Sequence, residues 1–200
     1  MDTKLIFAII ATIIGILASF PYVRDIILKK TRPHSFTWLI WAVTQGTATV
    51  ALWYGDAGFG IISPIVGTCS IILIFFLSLR YGEKNITRSD IMIFIIAVFA
   101  ILIWWLTNNP LLSLILVCFI DLIAYIPTFR KSYNHPWTET ILAWIASIIA
   151  NVFAILALSK YNVLTLSYLI TILLSNAAFI LFLLARRRKI PRTIHNRIKI

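Results

Sequence analysis

The sequence predicts an all-α integral membrane protein with seven transmembrane helices, arranged as two parallel three-helix repeats plus a linker helix (3+1+3). Three observations lead to this fold class: an apolar composition, an internal repeat and a one-sided distribution of basic residues. Of the 200 residues, 60% are hydrophobic and 12% are charged, and the mean hydropathy is +0.94. A soluble domain of this length cannot bury so much apolar surface, so the chain is expected in a membrane.

Seven apolar segments have about the length that a helix needs to cross a bilayer, which is roughly 20 residues for a hydrocarbon core of about 30 Å. Helices are expected because backbone polar groups in lipid must pair within their own segment. Pro110 is suited to the start of the fifth helix. The predicted spans are residues 5–28, 36–54, 59–80, 90–107, 111–129, 138–158 and 163–185.

The chain repeats itself without gaps at an offset of 106 residues. This predicts a first three-helix repeat at 5–80, a loop and linker helix at 81–110 with the helix at 90–107, and a second repeat at 111–186. The linker helix makes both repeats insert with the same orientation, as in transporters built from parallel repeats. The matched pairs are Ala18/Ala124, Pro21/Pro127, Arg24/Arg130, Trp38/Trp144, Ala48/Ala154, Ala51/Ala157, Leu52/Leu158, Phe76/Phe182, Leu77/Leu183 and Arg80/Arg186.

The net charge of +11 is distributed unevenly between the connections of the predicted helices. If alternate connections face opposite sides, 16 of the 18 Lys and Arg residues lie on one side, leaving Lys4 and Lys160 opposite. The positive-inside rule then places the N-terminus outside and the C-terminus in the cytoplasm. The plasma (inner) membrane is the default location. Basic charge here orients the protein, so no nucleic-acid partner is expected.

Residues 187–200 are predicted to form a basic cytoplasmic tail. One interpretation is contact with anionic lipid head groups. The other is a simple stop-transfer cluster at Arg186–Lys189. Membrane lipids are therefore expected partners, and a homo-oligomer is left open.

Two proline–arginine pairs predict a hinge or gate near the cytoplasmic ends of the first and fifth helices. Pro21 and Pro127 each free a backbone carbonyl and permit a bend, which alternating access would use at symmetric positions. The alternative is a proline tolerated near a helix end. Arg24 and Arg130 follow one turn later, where they either latch an intracellular gate or extend to lipid head groups.

Three repeat-related pairs predict a polar lining around a central substrate site. Amides at membrane depth pair across helices or face a wet cavity. They donate and accept hydrogen bonds, and tryptophan faces suit sugar rings or cations. The alternatives are an interfacial tryptophan belt and interhelical hydrogen bonds without a ligand. The pairs are Trp38/Trp144, Gln45/Asn151 and Ser70/Asn176.

Asp121 is the one acidic residue well inside a predicted span, and its repeat partner is Gly15. Intramembrane acids are candidates for proton relays, so Asp121 is predicted to couple protons or contact ligand. Tyr125, one turn further along, is a candidate hydrogen-bond partner. The alternative is a neutral carboxyl that ties helices together. His34 and His135 lie in cytoplasmic loops and are expected to be solvated.

The sequence offers no support for enzyme chemistry. It shows no nucleophile–base arrangement, metal-ligand cluster or glycine-rich phosphate loop, so no catalytic residue, metal or cofactor is expected. Cys69 and Cys118 lack metal-like spacing and are expected to be apolar packing residues.

Residues 21–67 resemble the PQ-loop and SWEET transporters, including bacterial seven-helix members with an Arg-Pro-His loop. The resemblance lies in three helices, a linker and three more helices, with a proline in the first helix of each unit. It continues through Trp53-Tyr54-Gly55-Asp56, Phe59, Pro64 and Gly67.

That resemblance implies a carrier that moves a small solute by alternating access, with a central site between the two units that Trp144 and Asn176 face. The class of solute is unknown, and proton coupling is left open. The alternatives are a non-transporting membrane receptor or sorting protein, and a lipid-handling, scramblase-like protein on the same scaffold.

Overall fold

A computed structural model describes residues 2–83, 86–106 and 109–191. These residues form seven α-helices and no strand, which confirms the all-helical class. Single turns of 3₁₀ helix at Gly58–Ile61 and Pro136–Thr138 precede the third and sixth helices. The helices are α1 (Thr3–Ile27), α2 (Ser35–Tyr54), α3 (Ile62–Tyr81), α4 (Arg88–Leu106), α5 (Pro110–Asn134), α6 (Ile141–Leu156) and α7 (Val163–Lys189).

Large apolar side chains cover much of the outer surface of the described residues. Phe20 is 73% exposed, Leu106 is 74% exposed and Leu181 is 68% exposed. Three helical stretches, Thr3–Ile27, Gly58–Tyr81 and Val163–Lys189, are long and apolar enough to cross a membrane. An apolar surface of this extent is compatible with membrane insertion.

Local sequence signals explain where several helices begin. The Asn109 side chain accepts hydrogen bonds from the backbone N–H groups of Leu111 and Leu112, at 3.1 and 3.2 Å. Pro110 occupies the first turn of α5, as predicted. Asn162 and Thr165 form a reciprocal capping box at the start of α7. These side chains satisfy backbone donors that have no partner inside the helix.

Most helix ends differ from the sequence prediction by one to five residues, and the C-terminal ends of α5 and α7 differ most. The α5 helix continues to Asn134, beyond the predicted end at 129, and Lys131 in this extension donates to the Arg32 carbonyl. The α6 helix begins at Ile141 instead of 138, since a 3₁₀ turn occupies the preceding residues. The α7 helix continues to Lys189, so residues 187–189 belong to this helix and not to a tail. Residues 192–200 of the predicted tail lie outside the described residues.

The helix packing has a regular pattern. The α3 helix packs against both α1 and α2, and α7 packs against both α5 and α6. Between these groups, α1 packs against α6 and α2 packs against α5. The same pairs result when α1–α3 are exchanged with α5–α7. The α4 helix lies mainly against α5, outside this pattern.

The centre of the molecule is an aromatic cluster contributed by both groups of helices. Trp41 of α2 lies 4.6 Å from Tyr125 of α5 and 5.8 Å from Trp144 of α6, measured between ring centroids. Phe179 of α7 is fully buried and lies 4.7 Å from Trp144. Edge-on contacts at these distances contribute beyond simple burial, so the cluster holds four helices at a common centre.

Candidate functional site

A cavity of about 190 Å³ lies among α1, α2, α3, α5, α6 and α7. Ligand pockets for drug-sized molecules measure roughly 300–1,000 Å³, so this cavity has the size for a small solute. The structure brings all six predicted substrate-binding residues together around this one space. Asp121 and Tyr125 also line it. The six are Trp38, Gln45, Ser70, Trp144, Asn151 and Asn176.

The two tryptophans lie inside the protein. Trp38 is 8% exposed and Trp144 is 6% exposed. Tyr22 lies between them, with ring centroids 5.2 Å from Trp38 and 6.5 Å from Trp144. This burial is inconsistent with an interfacial belt, where indole rings contact head groups. Both rings instead form part of the cavity wall.

The amides of Gln45 and Asn151 each bridge the second and third helices of their own unit. Gln45 Nε2 donates to the Pro64 carbonyl at 3.4 Å, and Asn151 Nδ2 donates to the Leu169 carbonyl at 2.5 Å. Gly67 makes room for the first of these, because a Cβ there would lie 2.5 Å from Gln45 Nε2. The amides therefore act as interhelical ties while they line the cavity.

Asn176 and Ser70 occupy equivalent positions but have different partners. Asn176 Oδ1 accepts a hydrogen bond from the Tyr125 hydroxyl at 2.6 Å, and its Nδ2 donates to Ser147 Oγ at 3.2 Å. Ser70 Oγ donates to the Val66 carbonyl of its own helix at 3.1 Å. The second unit therefore carries the more extended polar network.

The Asp121 carboxyl is 2% exposed and belongs to the cavity wall. Its Oδ1 accepts hydrogen bonds from Thr44 at 2.9 Å and Tyr168 at 3.0 Å. The expected hydrogen bond from Tyr125 is not formed, because the Tyr125 hydroxyl donates to Asn176 instead. Within the described part of the chain, no donor reaches Oδ2 of Asp121.

A buried ion pair lies next to the cavity wall. Glu139 Oε1 pairs with the Lys131 amine, and the two side chains are 1% and 4% exposed. Glu139 Oε2 accepts hydrogen bonds from the Tyr22 hydroxyl and from Trp144 Nε1, both at 3.1 Å. Lys131 also donates to the Arg32 carbonyl at 2.7 Å. One carboxylate thus joins α1, α5 and α6 and bonds to two aromatic side chains of the cavity wall.

The predicted hinge and gate residues lie outside the cavity wall. Pro21 is half-buried within α1 and Pro127 is buried within α5, and each helix continues beyond its proline. Arg24 is exposed on α1. Arg130 instead donates to Asp90 Oδ1 and to Ser89 Oγ, both at 2.6 Å. The two arginines are therefore equivalent in sequence but not in surroundings.

His34 contradicts the expectation of a solvated loop histidine. It is 1% exposed at the start of α2, and its Nε2 lies 3.4 Å from Asp90 Oδ2. Neither ring nitrogen makes a hydrogen bond within the described residues. Asp90 is fully buried and also accepts hydrogen bonds from the Thr87 backbone and side chain. His135 is half-buried, and His195 lies outside the described residues.

The structure predicts a pH dependence of stability from His34. Burial lowers the pKa of His34, and this effect outweighs the opposing influence of the Asp90 carboxylate; Lys131 and Arg130 lower the pKa further. Below the unfolded-state pKa of about 6.5, the unfolded chain therefore binds a proton that the folded chain does not. Stability should fall as the pH decreases from about 6.5 towards the folded-state pKa, by up to about 1.4 kcal/mol per pH unit.

His34→Gln tests this expectation, because glutamine does not titrate. Unfolding of the two proteins would be followed in detergent between acidic and neutral pH. The free energy of the variant should change less with pH in the acidic range. Parallel curves for the variant and the wild type would contradict the assignment.

Compared with protein-family models, curated proteins and solved structures, the chain gives no match. Among the described residues, no group of three or more His, Cys, Asp or Glu side chains could hold a metal ion. The side chains of the cavity offer a ligand aromatic faces, interhelical amides and one carboxyl group.

Proposed function

We propose that the chain is a membrane transporter that moves a small solute across the plasma membrane by alternating access, in the manner of SWEET and PQ-loop carriers. The observation that carries this proposal is the cavity itself. It lies between the two groups of helices and is lined by equivalent residues of both. A site at the interface of two repeats is where parallel-repeat carriers bind their solutes.

The packing pattern supports the 3+1+3 arrangement of the proposal. Exchange of α1–α3 with α5–α7 leaves the contacting pairs unchanged, as expected for two repeats related by a pseudo-two-fold axis. In this arrangement the N-terminus is outside and the C-terminus is cytoplasmic, which is the orientation that the charge asymmetry favours. The α4 helix then serves to reverse the chain between the two repeats.

Polar contacts between the two units differ at the two ends of the cavity. At the proposed cytoplasmic end, the almost fully buried Glu139 and Lys131 of the second unit bond to the Tyr22 hydroxyl and the Arg32 carbonyl of the first unit. At the opposite end, Lys160 lies 2.6 Å from Asp56, and these side chains are 65% and 69% exposed. Exposed ion pairs contribute little, whereas hydrogen bonds to buried charged groups contribute more. This difference favours a state that opens more readily towards the outside.

Movement between states is assigned to the cytoplasmic halves of α1 and α5. Pro21 and Pro127 remove one helical hydrogen bond each, which lowers the cost of bending there. Tyr22 follows Pro21 directly and contacts Glu139, so a bend of α1 would move this ring of the cavity wall. Asp121 remains the candidate for proton coupling because it lines the cavity.

Filling the cavity tests the proposed function. Gly15 lines the cavity, and a Cβ added there would meet nothing within 4 Å. Gly15→Leu should therefore leave the helix intact, gain up to about 1 kcal/mol of helix propensity, and occupy part of the solute space. The matched control is Ile16→Leu, one residue along on the exposed face of α1.

Purified protein would be screened for thermal stabilisation by sugars, amino acids, nucleosides and organic cations, at acidic and neutral pH. A solute at 100 times its Kd should stabilise the wild type by about 2.7 kcal/mol. We expect Gly15→Leu to lose both this stabilisation and uptake into liposomes, and Ile16→Leu to keep both. Binding without flux would favour a receptor, and lipid movement without solute binding would favour lipid handling.

A further inference from the structure

We infer that the solute is a small organic cation, such as a primary or quaternary amine, held by the Asp121 carboxylate and by the surrounding aromatic faces. The inference rests on the proposed function and adds the chemical class of the solute. It is carried by an acidic group in the cavity wall that forms no ion pair with a basic residue of the described protein.

The first argument compares the buried acids of the described residues. Asp90 pairs with Arg130, and Glu139 pairs with Lys131. Asp121 is equally buried, but its hydrogen bonds come from the neutral hydroxyls of Thr44 and Tyr168. A buried carboxyl that loses its hydration is neutralised either by a compensating cation or by a proton. No Lys, Arg or His is among the described residues that line the cavity, so we assign the compensating cation to the solute.

The second argument is the balance of hydrogen-bonding groups. Several donors of the wall are used within the protein, since the hydroxyls of Thr12, Ser19 and Ser70 donate to carbonyls one turn earlier in their own helices. One N–H group of each of the Gln45 and Asn151 amides is also used. By contrast, Asp121 Oδ2 receives no donor from the described residues. Such a wall accepts better than it donates, which suits an ammonium group and suits a sugar less well.

The third argument is the position of the aromatic rings. Trp41 Nε1 lies 3.4 Å from the Asp121 backbone carbonyl, and the Trp41 and Tyr125 centroids are 4.6 Å apart. These rings and those of Trp38 and Trp144 line the same cavity. Aromatic faces attract cations, and this attraction reaches about 2 kcal/mol or more when the groups are desolvated. A carboxylate beside several rings is a suitable environment for an alkylammonium group.

The fourth argument is the space opposite the acid. Gly15 is the repeat partner of Asp121 and lines the same cavity without a side chain. The empty space around a Cβ at Gly15 shows that neighbouring side chains do not fill this part of the wall. The two equivalent wall positions thus hold an acidic residue in one unit and unfilled space in the other, which leaves room for a small cation.

The experiment uses a charged molecule and its uncharged isostere. Choline and 3,3-dimethylbutan-1-ol have the same shape, but only choline carries a positive charge. Wild-type protein in detergent should be stabilised by choline and not by the alcohol. Asp121→Asn keeps the shape of the side chain and should weaken choline binding more than tenfold in Kd. Asp56→Asn, which removes an exposed acid outside the cavity wall, should leave the Kd unchanged.

Equal stabilisation of the wild type by both molecules would overturn the cation assignment, even if the Asp121→Asn protein failed to fold. Binding of a neutral solute that is lost in Gly15→Leu but unchanged in Asp121→Asn would also overturn it, while leaving the transporter proposal standing. If Gly15→Leu altered neither the binding nor the flux of any solute, the proposed function itself would fail. The transporter proposal and the assignment of a cationic solute are therefore tested separately.

Discussion

Replacement of Lys131 by methionine is expected to lower the free energy of unfolding by about 3–5 kcal/mol. Methionine keeps much of the apolar length of lysine but removes the charge that neutralises Glu139. The Glu139 carboxylate would stay buried beneath Tyr22 and Trp144 without a cation. Reversible unfolding of detergent-solubilised protein with a denaturing surfactant would measure the loss.

Lys160→Met is the matched control for this variant. It removes a lysine from an ion pair with Asp56 that is mostly exposed, so the expected loss is below about 1 kcal/mol. Adding Glu139→Gln to Lys131→Met should restore much of the lost stability, because the double variant no longer buries an unpaired charge. Similar losses for Lys131→Met and Lys160→Met would show that the Glu139 pair is not buried as described.

Arg130→Met is expected to have the second large effect, a loss of about 3 kcal/mol, because Asp90 is fully buried and Arg130 is its cationic partner. Since Asp90 lies in the first turn of α4, the variant should also loosen α4 from α5. The proteolytic sensitivity of the loop before α4 would report this second effect, and surfactant unfolding would report the first.

Arg24→Met provides an internal comparison, since Arg24 and Arg130 occupy equivalent repeat positions. Arg24 is exposed, so its replacement should change the free energy of unfolding by no more than about 0.5 kcal/mol. Equal effects of the two substitutions would mean that both arginines act alike, as a symmetric gate would require. Unequal effects would assign Arg130 to the attachment of α4.

The positions of the cavity residues were predictable because the repeat compares the chain with itself. Trp38 and Trp144 could be placed on equivalent helices from their spacing alone, and the structure brings both to one cavity. Helix starts were predictable where a local signal exists, as at Asn109 and Pro110. Both predictions rest on residues that are neighbours in the sequence or that are separated by the fixed offset of the repeat.

The buried ion pairs could not be predicted in this way. Lys131 and Glu139 have Asp25 and Pro33 as repeat partners, so the comparison of the two halves shows no match there. Arg130 and Asp90 are 40 residues apart and belong to helices that only tertiary packing brings together. The partner of Tyr125 was missed for the same reason, since spacing along α5 suggested Asp121 while Asn176 approaches from α7.

The pairing of α1 with α6 and of α2 with α5 is the self-complementary contact found between identical subunits of a two-fold dimer. In such a dimer, every side chain at the axis occurs twice. A dimer of units like the first would place two glycines at positions 15 and 121, and a dimer of units like the second would place two carboxylates there. Two carboxylates sharing one small space would not both ionise. Covalent linkage of the two units removes this constraint and permits a single, unopposed negative charge.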